Sequence, residues 1–146
     1  MSGMACPMPT PPTPDENETI ERILSRTKRI AVVGASDDDV KPGNYVPAYM
    51  LEQGYDVIGV NPNHDEVFGK KCYPSLDAVP GQIDLVNVFR RPLACADVTK
   101  QAIARGVKAV WLQSGIANDQ AKKLAAEAGI DYIENRCIMV EHRRRR

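Results

Sequence analysis

Apolar and polar positions fall in alternating blocks along this chain. Residues 29–33, 55–60, 83–89, 108–113 and 130–133 are short runs dense in Val, Ile and Leu, bounded by Gly, Asn or Ser. Runs of that length and composition predict β-strands buried on both faces. Between them the apolar period lengthens. Ile20, Ile23 and Leu24 fall at helical spacing after an Asp15-x-x-Glu18 capping box, which predicts a helix over 16–26. Further helices are predicted over 45–53, stopped by Gly54 with Pro47 in its first turn, and over 94–105, stopped by Gly106. Another is predicted over 118–128, capped by Asn118 and closed by Gly129, and a short one from Ile138 onward. Asn61-Pro62 ends the second strand, residues 67–73 suit a small ribbon around Gly69, and 75–79 a single helical turn.

Buried strands alternating with helices imply right-handed βαβ units and a mostly parallel sheet covered on both sides. The expectation is one α/β domain, doubly wound on a five-stranded sheet, over residues 15–142. Residues 1–14 hold Pro7, Pro9, Pro11, Pro12 and Pro14 without apolar periodicity and read as an extended, disordered arm. Residues 143–146 are four arginines and read as a solvated basic tail.

Length and composition narrow the classes. A chain of 146 residues with 43% apolar and 26% charged residues has one core and little room for a second. Its 19 basic and 19 acidic residues balance, but the four terminal arginines hide a body carrying 15 against 19, a net of −4. A body of that sign is a poor general partner for nucleic acid. No apolar run suits a membrane span or a secretory signal, so a cytoplasmic protein is expected. Cys6, Cys72, Cys95 and Cys137 show no Cys-x-x-Cys pair, and His64 and His142 lie far apart, which argues against a zinc site or a disulfide framework.

In a doubly wound sheet, ligands bind at the carboxyl ends of the strands, where strand order reverses. After the first strand come Gly34, Ala35 and Ser36, then Lys41 before a helix, a turn that suits an anion or a plain strand-to-helix connection equally. Neither Gly-x-Gly-x-x-Gly nor a Walker loop is present. After the second strand stands neutral Asn61, with Pro62, where an NAD-binding domain carries an acid; Asn-Pro also serves simply to start a turn. Phe89 is followed by Arg90 and Arg91, which suit phosphate, although Asp84 or Asp97 could hold either in a surface ion pair. Gln113, Ser114 and Gly115 leave the fourth strand, and Arg136 beside Cys137 leaves the fifth. Arg136 could lower the Cys137 pKa and make the thiol reactive, or Cys137 could be an inert buried residue. Trp111 reads as a core anchor, and no triad or acid–base pair stands out.

Taken in order, Ile30-Ala-Val-Val-Gly34-Ala-Ser36, Gly54-Tyr55, Val60-Asn61-Pro62, Phe89-Arg90-Arg91-Pro92, Ala109-Val-Trp111-Leu-Gln113-Ser-Gly115 and Asn135-Arg136-Cys137 with Glu141-His142 resemble the small stand-alone CoA-binding proteins (the YccU-like family). The chain is similar over about residues 18–142 to the amino-terminal CoA-binding domain of the succinyl-CoA synthetase alpha subunit and of ADP-forming acetyl-CoA synthetases. The resemblance implies a Rossmann-like domain with coenzyme A in its crevice. Gly34, Ala35, Ser36 and Lys41 would meet the phosphates, and Asn61 and Pro62 the adenosine end. Phe89, Arg90 and Arg91 would line the opposite side, and Gln113, Ser114 and Gly115 the pantetheine path, with Arg136 and Cys137 as further motif matches. Asp37-Asp38-Asp39 departs from the family, whose members often carry Arg or Pro there. The synthetases' phosphorylated His and nucleotide site lie in domains beyond this match.

The expected function is therefore binding of CoA or a short acyl-CoA without catalysis of its own. A protein partner could supply the chemistry. The alternative is an NADP-dependent oxidoreductase or NADP-responsive redox protein, which neutral Asn61 and the nearby cations would permit.

Overall fold

The computed structural model describes residues 10–146. Five strands, β1 (Arg29–Val33), β2 (Asp56–Val60), β5 (Leu85–Val88), β6 (Ala109–Leu112) and β7 (Asp131–Ile133), form one sheet in the order β2-β1-β5-β6-β7. Every pairing in it is parallel. The short strands β3 (Glu66–Val67) and β4 (Lys70–Lys71) pair antiparallel around the Gly69 turn as the predicted ribbon. Strand order reverses at β1: the chain first steps out to β2, then returns to β1's other side with β5.

Period-two side-chain alternation sorts the strand residues onto two faces. Ile30, Val32, Val57, Leu85 and Trp111 point to one core, shared with Ile20 and Ile23 of helix α1 (Pro14–Arg26), Val46 and Met50 of α2 (Pro42–Glu52), and Ile138 of α5 (Ile138–Arg144). Ala31, Val33, Val86, Val88, Val110 and Leu112 point to the other, with Val98 and Ala102 of α3 (Cys95–Ala104) and Ala121 of α4 (Asp119–Ala128). Both faces are covered, which is why the strands are apolar throughout rather than alternating. Trp111 is fully buried and donates its indole N–H to the Arg136 carbonyl at 2.7 Å.

Three elements differ from the expectation. Helix α1 is capped by Thr13, whose hydroxyl accepts the Glu16 N–H at 3.2 Å while the Glu16 carboxylate accepts the Thr13 N–H at 3.0 Å. Pro14 at the first helical position is already set for the helix, so the capping box lies two residues ahead of the Asp15/Glu18 pair. Most of the expected extended arm falls at 1–9, outside the described residues. The terminal arginines are not a free tail: α5 runs through Arg144, and Arg145 bonds Glu141 at 3.1 Å and also reaches Asn17.

The third difference shapes the ligand edge. Helix α2 starts at Pro42, so Pro47 lies inside it rather than in its first turn. Proline has no N–H to give the carbonyl four residues back, here that of Gly43. That carbonyl instead accepts the Ser36 N–H at 3.1 Å, tying the turn after β1 to the start of α2. A Cβ on Gly43 would lie 2.8 Å from the Gly34 oxygen, so no side chain fits where the two segments meet.

Candidate functional site

At the carboxyl edge of the sheet, over β1 and β5, lies a cleft of about 820 Å³. That volume is in the usual range for small-molecule sites. Ala35, Pro42, Tyr45, Phe89 and Ile116 give it apolar walls; Ser36, Lys41, Asn61, Asn63, His64, Gln113 and Ser114 give it polar groups. Nine sequence-nominated residues therefore line one space: Gly34, Ala35, Ser36, Lys41, Asn61, Phe89, Gln113, Ser114 and Gly115.

Helix α2 aims its amino terminus into this cleft. Lys41 occupies the cap position without a side-chain hydrogen bond, Pro42 has no N–H, and no acid stands in the first turn. The positive end of the helix dipole is left without an internal counter-charge, and Lys41 adds a full cation beside it. Gly34 makes the approach possible: its φ of +91° disfavours a side chain, and a Cβ there would lie 2.9 Å from the Phe89 carbonyl oxygen. Its own N–H is taken by the Val60 carbonyl at 2.9 Å.

Carboxamides hold the surrounding loops. Asn44 donates to the Ser36 carbonyl at 2.8 Å, and Asn61 donates to the Ala35 carbonyl at 2.8 Å while accepting the Asn63 N–H at 2.9 Å. Gln113, nearly fully buried, accepts from the Ile138 N–H at 3.0 Å, and Asn135 accepts from the Gly115 N–H at 2.7 Å. Asn135 takes a left-handed backbone (φ 57°), which Asn tolerates better than most residues. Asn61 thus fills the turn-forming role that its sequence left open, and its amide nitrogen clamps the first loop.

The acid triplet is turned outward. Asp37, Asp38 and Asp39 are all exposed; Asp37 pairs with His64 at 3.7 Å, and Asp38 accepts the Val40 N–H at 3.1 Å. Tyr45, Asn63, His64 and Ile116 are lining residues that sequence reasoning did not single out as contacts. Proximity in sequence to the nominated turns is the signal that could have found them.

The remaining nominated residues lie elsewhere. Pro62 is exposed beside the cleft without lining it, as are Arg90 and Arg91, although the Arg90 side chain packs close to Gly34. Neither arginine makes an ion pair among the described residues; Asp84 instead accepts the backbone N–H groups of Lys28 and Arg29, each at 3.0 Å. Arg136 points away. Its guanidinium grips Glu16 through two bonds of 3.2 and 3.1 Å, meets Glu141 at 3.4 Å, and donates to the Thr10 carbonyl at 2.8 Å. The two bonds from Arg136 hold the Glu16 carboxyl below its ordinary range. Cys137 is 1% exposed and packs in the core below α5, so the arginine expected to activate it is committed to two acids and the thiol is shut from solvent. The reactive-thiol reading is corrected to that of a structural cysteine.

The fold and the cleft together define a Rossmann-like α/β module with its cleft at the reversal of strand order. More narrowly, the chain belongs to the CoA binding domain family, whose profile matches residues 28–143. It is 40% identical over 123 residues to the uncharacterized protein YneT of Bacillus subtilis, across 84% of this chain and 91% of that one. A hypothetical protein from Pyrococcus horikoshii OT3 superimposes with a TM-score of 0.86 at 44% identity, over 94% of this chain and 98% of its own. The ADP-forming acetate–CoA ligase II of Archaeoglobus fulgidus is 31% identical over 104 residues, which make up 69% of this chain but 16% of the ligase. Among the described residues no helix is long and apolar enough to cross a membrane.

Proposed function

We propose that the protein binds coenzyme A or a short acyl-CoA in this cleft and acts as a binding module, with no catalytic step of its own. The observation that carries the reading is the uncapped amino terminus of α2, with Lys41 beside it, opening into a cleft of mixed apolar and polar character. A diphosphate satisfies both the free helix end and the lysine. The adenosine end lies against the loop of Asn61 and Pro62, near His64, with Phe89 offering its ring as an apolar wall. Arg90 and Arg91 add positive charge at the rim, and the pantetheine arm runs toward Gln113, Ser114 and Gly115. Asn61 acts here by holding the Ala35 carbonyl, and Arg136 and Cys137 support the cleft from outside through the chain that follows β7.

Calorimetric titration of ligand-stripped protein with CoA, dephospho-CoA and NADP tests this. Saturable CoA binding is expected, with dephospho-CoA weaker by about tenfold, or roughly 1.4 kcal/mol, for the lost 3′-phosphate contacts. Equal affinities for the two would remove the 3′-phosphate from the account. Binding of NADP without CoA would replace the reading.

A further inference from the structure

Among the described residues, two large apolar side chains stand out in solvent: Val40 at 76% and Leu93 at 95% exposure. Both sit on loops that leave the carboxyl edge of the sheet, Val40 after β1 and Leu93 after β5, and these strands are neighbours. The loops also touch, since a Cβ on Gly34 would lie 3.2 Å from Cδ of Arg90. Val40 and Leu93 therefore both stand at the carboxyl edge of the sheet, on loops that follow neighbouring strands and meet at their bases.

Neither residue is exposed merely because its loop is loose. Ser36 Oγ accepts the Asp38 N–H at 3.0 Å, the Asp38 carboxylate accepts the Val40 N–H at 3.1 Å, and the Lys41 N–H returns to the Asp38 carbonyl at 3.0 Å. On the other side, Asn118 donates to the Pro92 carbonyl at 2.8 Å and the Ala94 N–H to the Arg91 carbonyl at 2.9 Å. Each apolar side chain is presented on a hydrogen-bonded platform.

Charge is segregated along the same edge. Asp37, Asp38 and Asp39 run up to Val40, whereas Arg90 and Arg91 run up to Leu93, and all five are exposed. The two sets make no ion pair with each other; Asp37 is paired with His64. One sheet edge thus carries an acidic-apolar patch, tied to the loop after β2 by Asp37 and His64, and a basic-apolar patch, tied to the chain after β6 by Pro92 and Asn118, each the complement of the other.

We propose that this edge is an association surface for a second copy of the chain. A two-fold axis sets residues 37–40 of one copy against residues 90–93 of the other, and the reverse. Isologous contact of this kind satisfies both patches at once, with acid facing base twice and each apolar side chain leaving water. The patch is small, so the product is a reversible dimer rather than an obligate one. The axis passes beside the two cleft mouths, which couples association to access.

Sedimentation equilibrium of the full chain over a range of concentrations tests the proposal. The expected result is a reversible monomer–dimer equilibrium, weakened roughly tenfold or more by Leu93→Asp and by Arg91→Asp. Combining Arg91→Asp with Asp39→Arg restores opposite charges at these two facing positions across the axis and recovers part of the lost association. Since Leu93, Arg91 and Asp39 are exposed, the variants keep the fold, which circular dichroism verifies. A wild type that is monomeric throughout overturns the proposal and leaves this edge to a different protein. A Leu93→Asp protein that dimerises like the wild type overturns it as well. A double variant that stays as weak as Arg91→Asp overturns the two-fold pairing.

Discussion

Two arginine clusters sit at the carboxyl ends of the strands, and they have opposite fates. Arg136 is buried and surrounded by acids, Glu16 and Glu141, with the Thr10 carbonyl completing its partners. Glu141 is itself fully buried and is shared with Arg145 at 3.1 Å and Arg144 at 3.6 Å. This ionic seam fastens the start of α1 to the chain after β7 and to α5. Arg90 and Arg91 are exposed and make no ion pair among the described residues, and Lys41 at the start of α2 makes no capping hydrogen bond through its side chain. A cation whose partners come from within the chain serves the fold, while one left without an internal counter-charge is available to a ligand or a neighbour.

The comparison breaks most visibly at Glu141. Glu141→Gln leaves the cluster of Arg136, Arg144 and Arg145 without its one fully buried acid and should cost about 3 kcal/mol of stability in urea unfolding, with CoA affinity of the folded fraction unchanged. A loss of affinity without a loss of stability would reverse the assignment of the two clusters. Next comes Gly43→Ala, whose Cβ would push against the Gly34 oxygen. It should weaken CoA binding at least about tenfold and cost about 1–3 kcal/mol, because it forces the helix end away from the turn. The double variant Arg90→Ala/Arg91→Ala should weaken CoA binding about tenfold, with the loss shrinking at high salt, and should leave stability within about 0.5 kcal/mol.

The smallest effects are those of pH. Burial, together with the charge of Arg146, lowers the His142 pKa below its ordinary 6.5, and its Nδ1 lies 2.8 Å from the Tyr49 hydroxyl. Because the unfolded chain takes up this proton first, stability should begin to fall as pH drops below about 6.5 and level off below the depressed folded value. Glu16 acts lower. Its depressed folded pKa gives a contribution that is complete above its ordinary 4.5 and is lost as pH falls through the folded value. Two separate acid steps in stability are expected, with His142→Asn removing the upper and Glu16→Gln the lower. A single step, unchanged in either variant, would show that neither group governs the acid limb.

Much of the architecture was legible because the two periodicities are clean. Strand β1 coincides with its predicted span, and α4 ends at Gly129 in the left-handed cap that glycine favours. The site was legible to the extent that it is built from strand ends, which is how Gly34, Lys41, Phe89 and Gln113 came to line one cleft. What the sequence hid was the choice of partner. Arg136 and Arg90 carry the same guanidinium, and only the packing of α1 against the chain after β7 shows that Glu16, 120 positions away, belongs to Arg136. Pro47 hid in the same way. A proline beyond the first turn argues against a helix, unless another segment uses the carbonyl it frees, and here Ser36 does so.

The order of two adjacent residues also bears on how this cleft ages. An asparagine side chain is ordinarily lost when the backbone nitrogen of the next residue attacks its amide carbon, forms a cyclic imide and expels ammonia. Asn61, whose amide joins the Ala35 carbonyl to the Asn63 N–H, is followed by Pro62, and a proline nitrogen has no hydrogen to surrender in that closure. The clamp between the first two loops is therefore protected from the commonest chemical decay of its own side chain.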